Sequence, residues 1–128
     1  MHREIWKLPA PATAMIADPV FSILPQRKCS IYLRMEDEEG RTIENELMFG
    51  SVESFRCTYM SALSPDLIKS SYGRLVYLEE SKWLEDVRAR SSAFYKAIGK
   101  VENDLKHVAI CFDDGPCFEF ICVDINIS

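Results

Sequence analysis

The fold is decided near the carboxyl end of the sequence, by the runs LKHVAICF (105–112), DDGP (113–116) and CFEFICVDI (117–125). The first and last runs are apolar and contain many β-branched and aromatic residues, which favours strands. Between them, Asp114-Gly115 indicates a two-residue hairpin turn, because both central residues of such a turn adopt positive φ. The segment therefore predicts an antiparallel hairpin with two apolar faces, as is typical of central strands covered on both sides.

A two-residue turn also sets the register of this hairpin. Cys111 then faces Phe118, and His107 faces Cys122 with their Cβ atoms about 5 Å apart. One face carries Val108, Ile110, Phe112, Ile121, Val123 and Ile125, and the other carries Ala109, Cys111, Phe118, Phe120 and Cys122. Cys111 and Cys117 point to opposite faces in this register, which excludes a disulfide between them.

The strands and helices before this hairpin are predicted from the spacing of apolar side chains and from helix-capping residues. Residues 29–60 alternate apolar and polar side chains, which predicts a second antiparallel hairpin whose long second arm bends at Gly50. Cap and stop residues predict helices over 64–73 and 81–98. The second helix has a predicted apolar stripe of Trp83, Leu84, Val87, Phe94, Tyr95 and Ile98. Residues 74–79 are interpreted as a strand, with a continuing helix as the alternative.

The domain organisation is simple, since 128 residues correspond to one domain. Residues 1–26 contain four of the six prolines. Proline removes a backbone donor and blocks a continuing helix, so this segment is interpreted as an extended arm. Residues 27–128 form the body. The predicted fold class is α+β: a mostly antiparallel sheet of about five strands with two helices on one face, preceded by the arm.

The cysteines and the N-terminal residues bear on the compartment. Five cysteines, an odd number without a CxxC pair, are typical of free buried thiols in a reducing compartment. Prolines and charges interrupt the N-terminal residues, which do not resemble a signal peptide. No stretch approaches the ~18 apolar residues of a membrane helix. We expect a cytoplasmic protein without a membrane partner.

The charge distribution suggests a protein partner. The chain has 20 acidic and 15 basic residues, a net charge of −5, which argues against a nucleic-acid partner. Residues 36–56 have seven acidic and two basic residues, and residues 101–128 have six and one. If the two hairpins adjoin, their acids form one negative surface that steers a basic protein; a merely solubilising surface is the alternative. The predicted partner-binding residues are Glu36, Asp37, Glu38, Glu39, Asp113 and Asp114.

Three residues are candidates for a pocket: His107, Cys122 and Glu119. An imidazole beside a thiol favours the thiolate and can create a nucleophile, although a structural thiol beside a half-buried imidazole is the more common arrangement. Glu119 lies opposite Ile110 in the predicted register. A buried carboxylate needs a partner, and Arg56 or Arg74 is expected to supply a structural ion pair.

Metal and cofactor chemistry is not expected. The sequence has no GxGxxG, GxxxxGK[ST], GxSxG or EF-hand motif. His107, Cys111 and Cys122 share a predicted face, but Cys111 lies about 13 Å from His107 along the strand. That distance exceeds what one zinc ion bridges with bonds of about 2 Å. We therefore predict no metal, no cofactor, no catalytic residue and no enzymatic activity.

Part of the chain resembles known proteins. SSYGRLV (70–76) after Ser64-Pro65, SKWL (81–84) and FDDGPCFEF (112–120) resemble small uncharacterised bacterial proteins that are similar in general make-up to immunity proteins of polymorphic toxin systems. The resemblance covers about residues 30–125 and carries no functional residue. It implies a small acidic cytoplasmic binder that blocks a toxin domain.

Two classes of function follow. The first is a protein-binding module, of immunity type, that neutralises a toxin domain by occlusion. Its acids would steer the encounter, and exposed aromatic residues would anchor the contact. A homodimer formed through the arm is compatible with it. The alternative is a small-ligand-binding or enzymatic domain with a pocket near His107, Cys122 and Glu119.

Overall fold

The computed structural model describes residues 2–99 and 104–128. In chain order the elements are β1 (His2–Lys7), β2 (Val20–Leu24), β3 (Lys28–Glu36), β4 (Thr42–Gly50), β5 (Ser54–Tyr59), α1 (Pro65–Ser71), β6 (Arg74–Leu78), α2 (Lys82–Ala97), β7 (Lys106–Cys111), β8 (Pro116–Cys122) and β9 (Asp124–Ile127). They form two antiparallel sheets, ordered β1-β6-β7-β8-β5 and β2-β3-β4-β9. The α+β class is confirmed, but the strands make two sheets where one was predicted.

The main core lies between the sheets. The four-stranded sheet contributes Cys29, Ile31, Leu33, Met35, Leu47 and Phe49, and the five-stranded sheet contributes Leu75, Val108, Ile110, Phe112, Phe118, Phe120 and Cys122. The predicted alternation along β3 and β4 is confirmed, because these inward side chains are buried and the inward Ile43 is partly buried against them. Phe49 and Phe120 stack across the interface, with ring centroids 3.9 Å apart.

The proline-rich segment is part of both sheets, not an arm outside the body. It supplies β1, which pairs with β6, and β2, which pairs with β3. The prolines of this segment fall outside its two strands, where a missing backbone donor costs no ladder hydrogen bond. The apolar side chains of Trp6 and Phe21 pack against the main core.

The second arm of the predicted 29–60 hairpin is divided between the sheets. β3 and β4 pair as predicted. The chain then turns at Ser51, which has positive φ (50°), and β5 joins the other sheet beside β8. The bend at Gly50 is therefore a crossing from one sheet to the other.

Both predicted helices and the strand between them are confirmed. Leu67 of α1 packs against Val76 and Ala109, and Leu84 of α2 packs near Leu105 and Ile121. Both helices thus cover the outer face of the five-stranded sheet. Neither helix in the described ranges is long and apolar enough to cross a membrane.

The predicted apolar stripe of α2 is wrong at its C-terminal end. Phe94 and Ile98 are 61% and 50% exposed, whereas Ser91 and Tyr95 are buried. Burial follows the face that packs on the sheet, which includes Leu84 and Tyr95 of the predicted stripe and also Ser91, which the stripe omitted.

The register of the last hairpin is shifted by one residue from the prediction. Phe112 donates its N–H to the carbonyl of Pro116 (3.2 Å), which leaves three residues in the loop, 113–115. In the Asp114-Gly115 pair, only Asp114 adopts positive φ (43°), so the two-residue turn does not form. Because strand side chains alternate, a shift of one residue moves every side chain of β8 to the other face relative to β7.

The shifted register changes the cysteine chemistry. Cys111 and Cys117 are now directly opposite each other, and they form a disulfide. The prediction that no bridge joins them is wrong. Cys29 and Cys122 are free and buried as predicted, whereas Cys57 is free and exposed.

Candidate functional site

The same register brings His107 and Glu119 together on the outer face of the five-stranded sheet. His107 lies opposite Ile121, and Glu119 lies opposite Ala109 on the adjacent strand. Nε2 of His107 is 2.9 Å from Oε1 of Glu119. Both side chains are almost fully buried, at 3% and 0% exposure. Two of the three predicted pocket residues are therefore in contact.

Cys122 does not belong to this group. It lies opposite Lys106 and belongs to the core between the sheets. The predicted contact between His107 and Cys122 is wrong. Burial raises the pKa of the Cys122 thiol to about 12, so the thiol stays protonated near neutral pH.

Arg56 is the cation that pairs with Glu119. The two are cross-strand partners. Arg56 donates from Nε to Oε2 (2.8 Å) and from Nη2 to Oε1 (3.0 Å). This confirms one of the two predicted partners, whereas Arg74 lies 3.6 Å from Glu4. The predicted position of Glu119 opposite Ile110 is wrong because of the register shift.

These contacts determine the charge of Glu119. Burial alone would raise its pKa, because a carboxylate loses hydration in the interior. The hydrogen bonds from His107 and Arg56 outweigh burial and lower the pKa from 4.5 to about 2. Glu119 is therefore ionised at neutral pH and only accepts hydrogen bonds.

Ser81 completes a chain of three polar side chains. Its Oγ lies 2.6 Å from Nδ1 of His107 and also accepts the backbone N–H of Leu84 (3.0 Å) as the N-cap of α2. Because ionised Glu119 only accepts, neutral His107 carries its proton on Nε2. Nδ1 is then the acceptor, and the Ser81 hydroxyl donates to it. The sequence shows Ser81 only as a helix cap and gives no signal of its contact with His107.

An open cleft of about 560 Å³ lies over this chain, between the N-termini of α1 and α2. Its lining includes Arg56, Leu67, Leu78, Ser81, Trp83 and His107. The Arg56 guanidinium lies 4.1 Å from the centre of the Trp83 ring, and the His107 ring meets Trp83 edge-on at 5.0 Å. Arg56 and Trp83 thus form one wall beside the buried imidazole.

The predicted acidic patch occupies two turns that both border the N-terminal segment. Residues 36–39 line one groove with Pro9 and Pro11, and Asp113 lines another with residues 12–19. Both turns thus border residues 9–19, which lie between them, and the two acidic hairpins belong to different sheets instead of adjoining in one. Glu102, which belongs to the second acidic run, lies outside the described residues.

Several of these acids have local structural partners. Asp37 accepts the backbone N–H groups of Glu39 and Arg41 (3.0 and 2.8 Å), and the Arg41 guanidinium contacts both Asp37 and Glu39. Asp113 accepts the Tyr72 hydroxyl (2.5 Å). The acidic surface is consequently part of the turn structure as well as a charged face.

A second candidate surface lies where the two sheets end side by side. β2 and β5 are edge strands, and Phe21 and Phe55 bring them together with ring centroids 5.2 Å apart. We call the exposed inward-facing side chains at this opening the open edge: Ile23, Phe55, Cys57 and Tyr59. Ile23, Phe55 and Tyr59 are 68%, 40% and 64% exposed.

The sequence pattern did not indicate the open edge. Phe55, Cys57 and Tyr59 continue a regular alternation that predicts burial. They are exposed because β5 and β2 are the terminal strands of their sheets, so no further strand of the described chain covers them on that side. A groove of about 320 Å³ at this opening is lined by Ile23, Arg27, Lys28, Val52 and Phe55, among others.

Comparisons with known proteins returned no similarity: no family model, curated protein or solved structure matches the chain. Within residues 2–99 and 104–128, no group of three or more His, Cys, Asp and Glu side chains is arranged to hold a metal ion.

Proposed function

We propose that this protein is a protein-binding module whose contact surface is the open edge. The observation that carries the proposal is that two adjacent edge strands expose apolar side chains, among them Ile23 and Tyr59, which are about two-thirds exposed. Exposed apolar patches of this kind mark interaction sites on soluble proteins.

The backbone at the open edge favours an extended partner. Among the described residues, β5 pairs only with β8 and β2 only with β3, so each strand has one row of backbone groups without a strand partner there. Natural sheets usually protect such edges with charged residues, prolines or a covering element. No element of the described chain covers this opening. A partner segment that adds as a strand would satisfy the backbone groups and bury Phe55 and Tyr59.

The charges at the two ends of the open edge favour a basic partner at one end. Tyr59 lies opposite Pro116, beside the acidic turn of Asp113. Asp18 lines the same groove as Asp113. Arg27 and Lys28 lie at the other end. We expect an extended apolar segment with Lys or Arg near Asp113, and the acids would speed the encounter.

The resemblance to immunity proteins supports a particular kind of partner. A toxin domain with a basic cleft has the required charge, and binding at the open edge would block that cleft by occlusion. Catalysis by this chain is not needed for that function.

The test compares two double variants with matched changes. Ile23→Lys/Phe55→Lys places charge on the open edge, whereas Phe94→Lys/Ile98→Lys places the same charge on exposed apolar residues of α2. Proteins retained by the tagged wild-type chain from its own cells would be identified by mass spectrometry. The partner would then be purified and its affinity measured for each variant.

We expect the open-edge variant to bind the basic partner at least ~100-fold more weakly, because buried apolar anchors supply most of the binding energy. The α2 variant should bind within about threefold of the wild type. Asp113→Asn/Asp114→Asn should slow association and reduce its salt dependence. Equal affinity of both lysine variants, or the absence of any retained protein, would overturn the proposal. A dimer of this chain that only the open-edge variant disrupts would also overturn it.

A further inference from the structure

We propose that Ser81, His107 and Glu119 form a serine-hydrolase site for small carboxylic esters in the cleft over α2. This activity is independent of the proposed protein binding, because the cleft lies on the outer face of the five-stranded sheet and the open edge lies on its inner side. Serine nucleophiles are recognised by the geometry and roles of three groups, not by chain order or a local motif.

The hydrogen-bond chain gives each group its role. Ser81 Oγ lies 2.6 Å from Nδ1 of His107, within reach for proton transfer. The opposite nitrogen, Nε2, lies 2.9 Å from the carboxylate of Glu119. Glu119 fixes the tautomer in which Nδ1 is free to accept the serine proton. Its negative charge then stabilises the imidazolium that forms.

Ser81 stands between a strand and a helix, in extended backbone (φ −128°, ψ 115°), and lines the cleft although only 9% of its surface is exposed. β6 ends at Leu78, two residues follow, and Ser81 caps α2. In hydrolases with a strand–turn–helix nucleophile, the N–H of the next residue helps to bind the oxyanion. Here the N–H groups of Lys82 and Trp83, in the first turn of α2, have no acceptor within the helix. They are the candidate oxyanion donors.

The reaction balances with water as the only co-reactant. Ser81 Oγ attacks the ester carbonyl carbon, and its proton passes to Nδ1 of His107. The tetrahedral intermediate breaks its C–O bond to the alcohol, which leaves with that proton. Water then attacks the acyl-Ser81 carbonyl while His107 accepts a proton. Collapse breaks the bond to Ser81, returns the proton to Oγ and releases the carboxylic acid.

The cleft limits the class of substrate. Its volume of about 560 Å³ fits a small molecule, and Ser81 is one of its lining residues, with 9% of its surface exposed. Leu67 and Leu78 provide apolar wall for an alkyl group, while the cations Arg56 and Lys82 of the lining are paired with Glu119 and Asp86. These features favour a short-chain ester over a long lipid.

The experiment uses p-nitrophenyl acetate turnover and labelling by a fluorophosphonate, a reagent specific for activated serines. Ser81→Asn removes the hydroxyl but keeps a good N-cap, so α2 retains its start. Ser91→Ala is the control, since Ser91 is also a buried serine of α2, but its hydroxyl has no hydrogen-bond partner among the described residues and does not line the cleft. Circular dichroism would verify the fold of each variant.

We expect the label on Ser81 of the wild type, and its loss in Ser81→Asn. Ester turnover should fall at least ~100-fold in Ser81→Asn and His107→Gln, and stay within about twofold in Ser91→Ala. Labelling of the wild-type protein also tests the proposal without any variant, so a variant that fails to fold cannot obscure the result. A label on another residue, or no label at all, would overturn the proposal. Full turnover in Ser81→Asn would also overturn it, because the ester would then be hydrolysed by the imidazole of His107 without the serine.

Discussion

Two arginine–glutamate clusters connect a sheet to α2, and they differ mainly in burial. In the first, Arg56 pairs with Glu119, and His107 extends the contact to Ser81 at the start of α2. In the second, Nη2 of Arg27 lies 2.6 Å from Oε1 of Glu53. The Tyr95 hydroxyl near the end of α2 joins that pair, donating to Glu53 (2.8 Å) and accepting from Arg27 (2.7 Å).

The difference in burial decides what each cluster contributes. The Glu119 side chain is fully buried, whereas the Glu53 side chain is 17% exposed; the two arginines are alike, with Arg56 48% and Arg27 50% exposed. A buried carboxylate cannot regain water when its partner is removed, so its loss of pairing is costly. An exposed pair exchanges its partner for water and is screened by salt. We therefore expect the same chemical pairing to stabilise the fold strongly where the carboxylate is fully buried and weakly where it reaches water.

The largest expected effect is that of Arg56→Met. It leaves the buried Glu119 carboxylate with only His107, and we expect a loss of about 3 kcal/mol in the free energy of unfolding. Urea denaturation at neutral pH measures it. A loss below about 1 kcal/mol would show that burial does not distinguish the two clusters.

The buried cluster also predicts an acid dependence. The folded pKa of Glu119 is about 2, below its ordinary value of 4.5. Its ionised form therefore stabilises the fold fully above about pH 4.5, and this contribution is lost as the pH falls towards 2. The loss is of the order of 3 kcal/mol.

Urea titrations at several pH values would test this dependence, with Glu119→Gln as the control. The stability difference between wild type and Glu119→Gln should shrink as the pH falls through that window. A difference that stays constant would contradict the prediction.

Each cluster also contains one hydroxyl group of α2, that of Ser81 or that of Tyr95. Removing these two hydroxyls should change the unfolding free energy by amounts that differ less than the changes from removing the two arginines. Ser81→Ala removes the N-cap of α2 and leaves buried Nδ1 of His107 without its donor, so we expect a loss of about 2 kcal/mol in unfolding free energy. Ser81→Asn, which caps the helix, should recover part of it. Thermal denaturation of the two variants provides the check, and equal losses would contradict the capping argument.

Tyr95→Phe tests the corresponding link of the exposed cluster. The ring stays buried and only the hydroxyl is removed, so we expect a loss of about 1 kcal/mol in unfolding free energy. Urea denaturation measures the change. A loss equal to that of Ser81→Ala would show that the hydroxyls of Tyr95 and Ser81 stabilise the fold equally, and would contradict the prediction.

The smallest effect is expected for Arg27→Met. Glu53 can be hydrated in its place, so the unfolding free energy should fall by about 0.5 kcal/mol, and less at high salt. Denaturation at low and high ionic strength would measure both. A loss close to that of Arg56→Met would show that Glu53 behaves as a buried charge.

Part of the candidate site could be predicted from the sequence. Glu119 stands out as a lone acid in an apolar strand, and Arg56 follows as a partner because a buried carboxylate needs a cation. The contact of His107 with Glu119 could not be predicted, because it depends on whether the turn between β7 and β8 has two or three residues. The positive φ of Asp114 alone, without Gly115, selects three.

The sequence by itself determined the local elements: the inward alternation of β3 and β4, the helix starts at Ser64 and Ser81, and the strand at 74–78. Helix caps and side-chain periodicity depend on residues only a few positions apart, so they can be recognised in the sequence alone. Tertiary structure alone decided the division into two sheets, the register of the last hairpin, the Cys111–Cys117 disulfide and the exposure of Phe55 and Tyr59. These depend on which strands meet across the core, and that choice is made by packing between residues far apart in the chain.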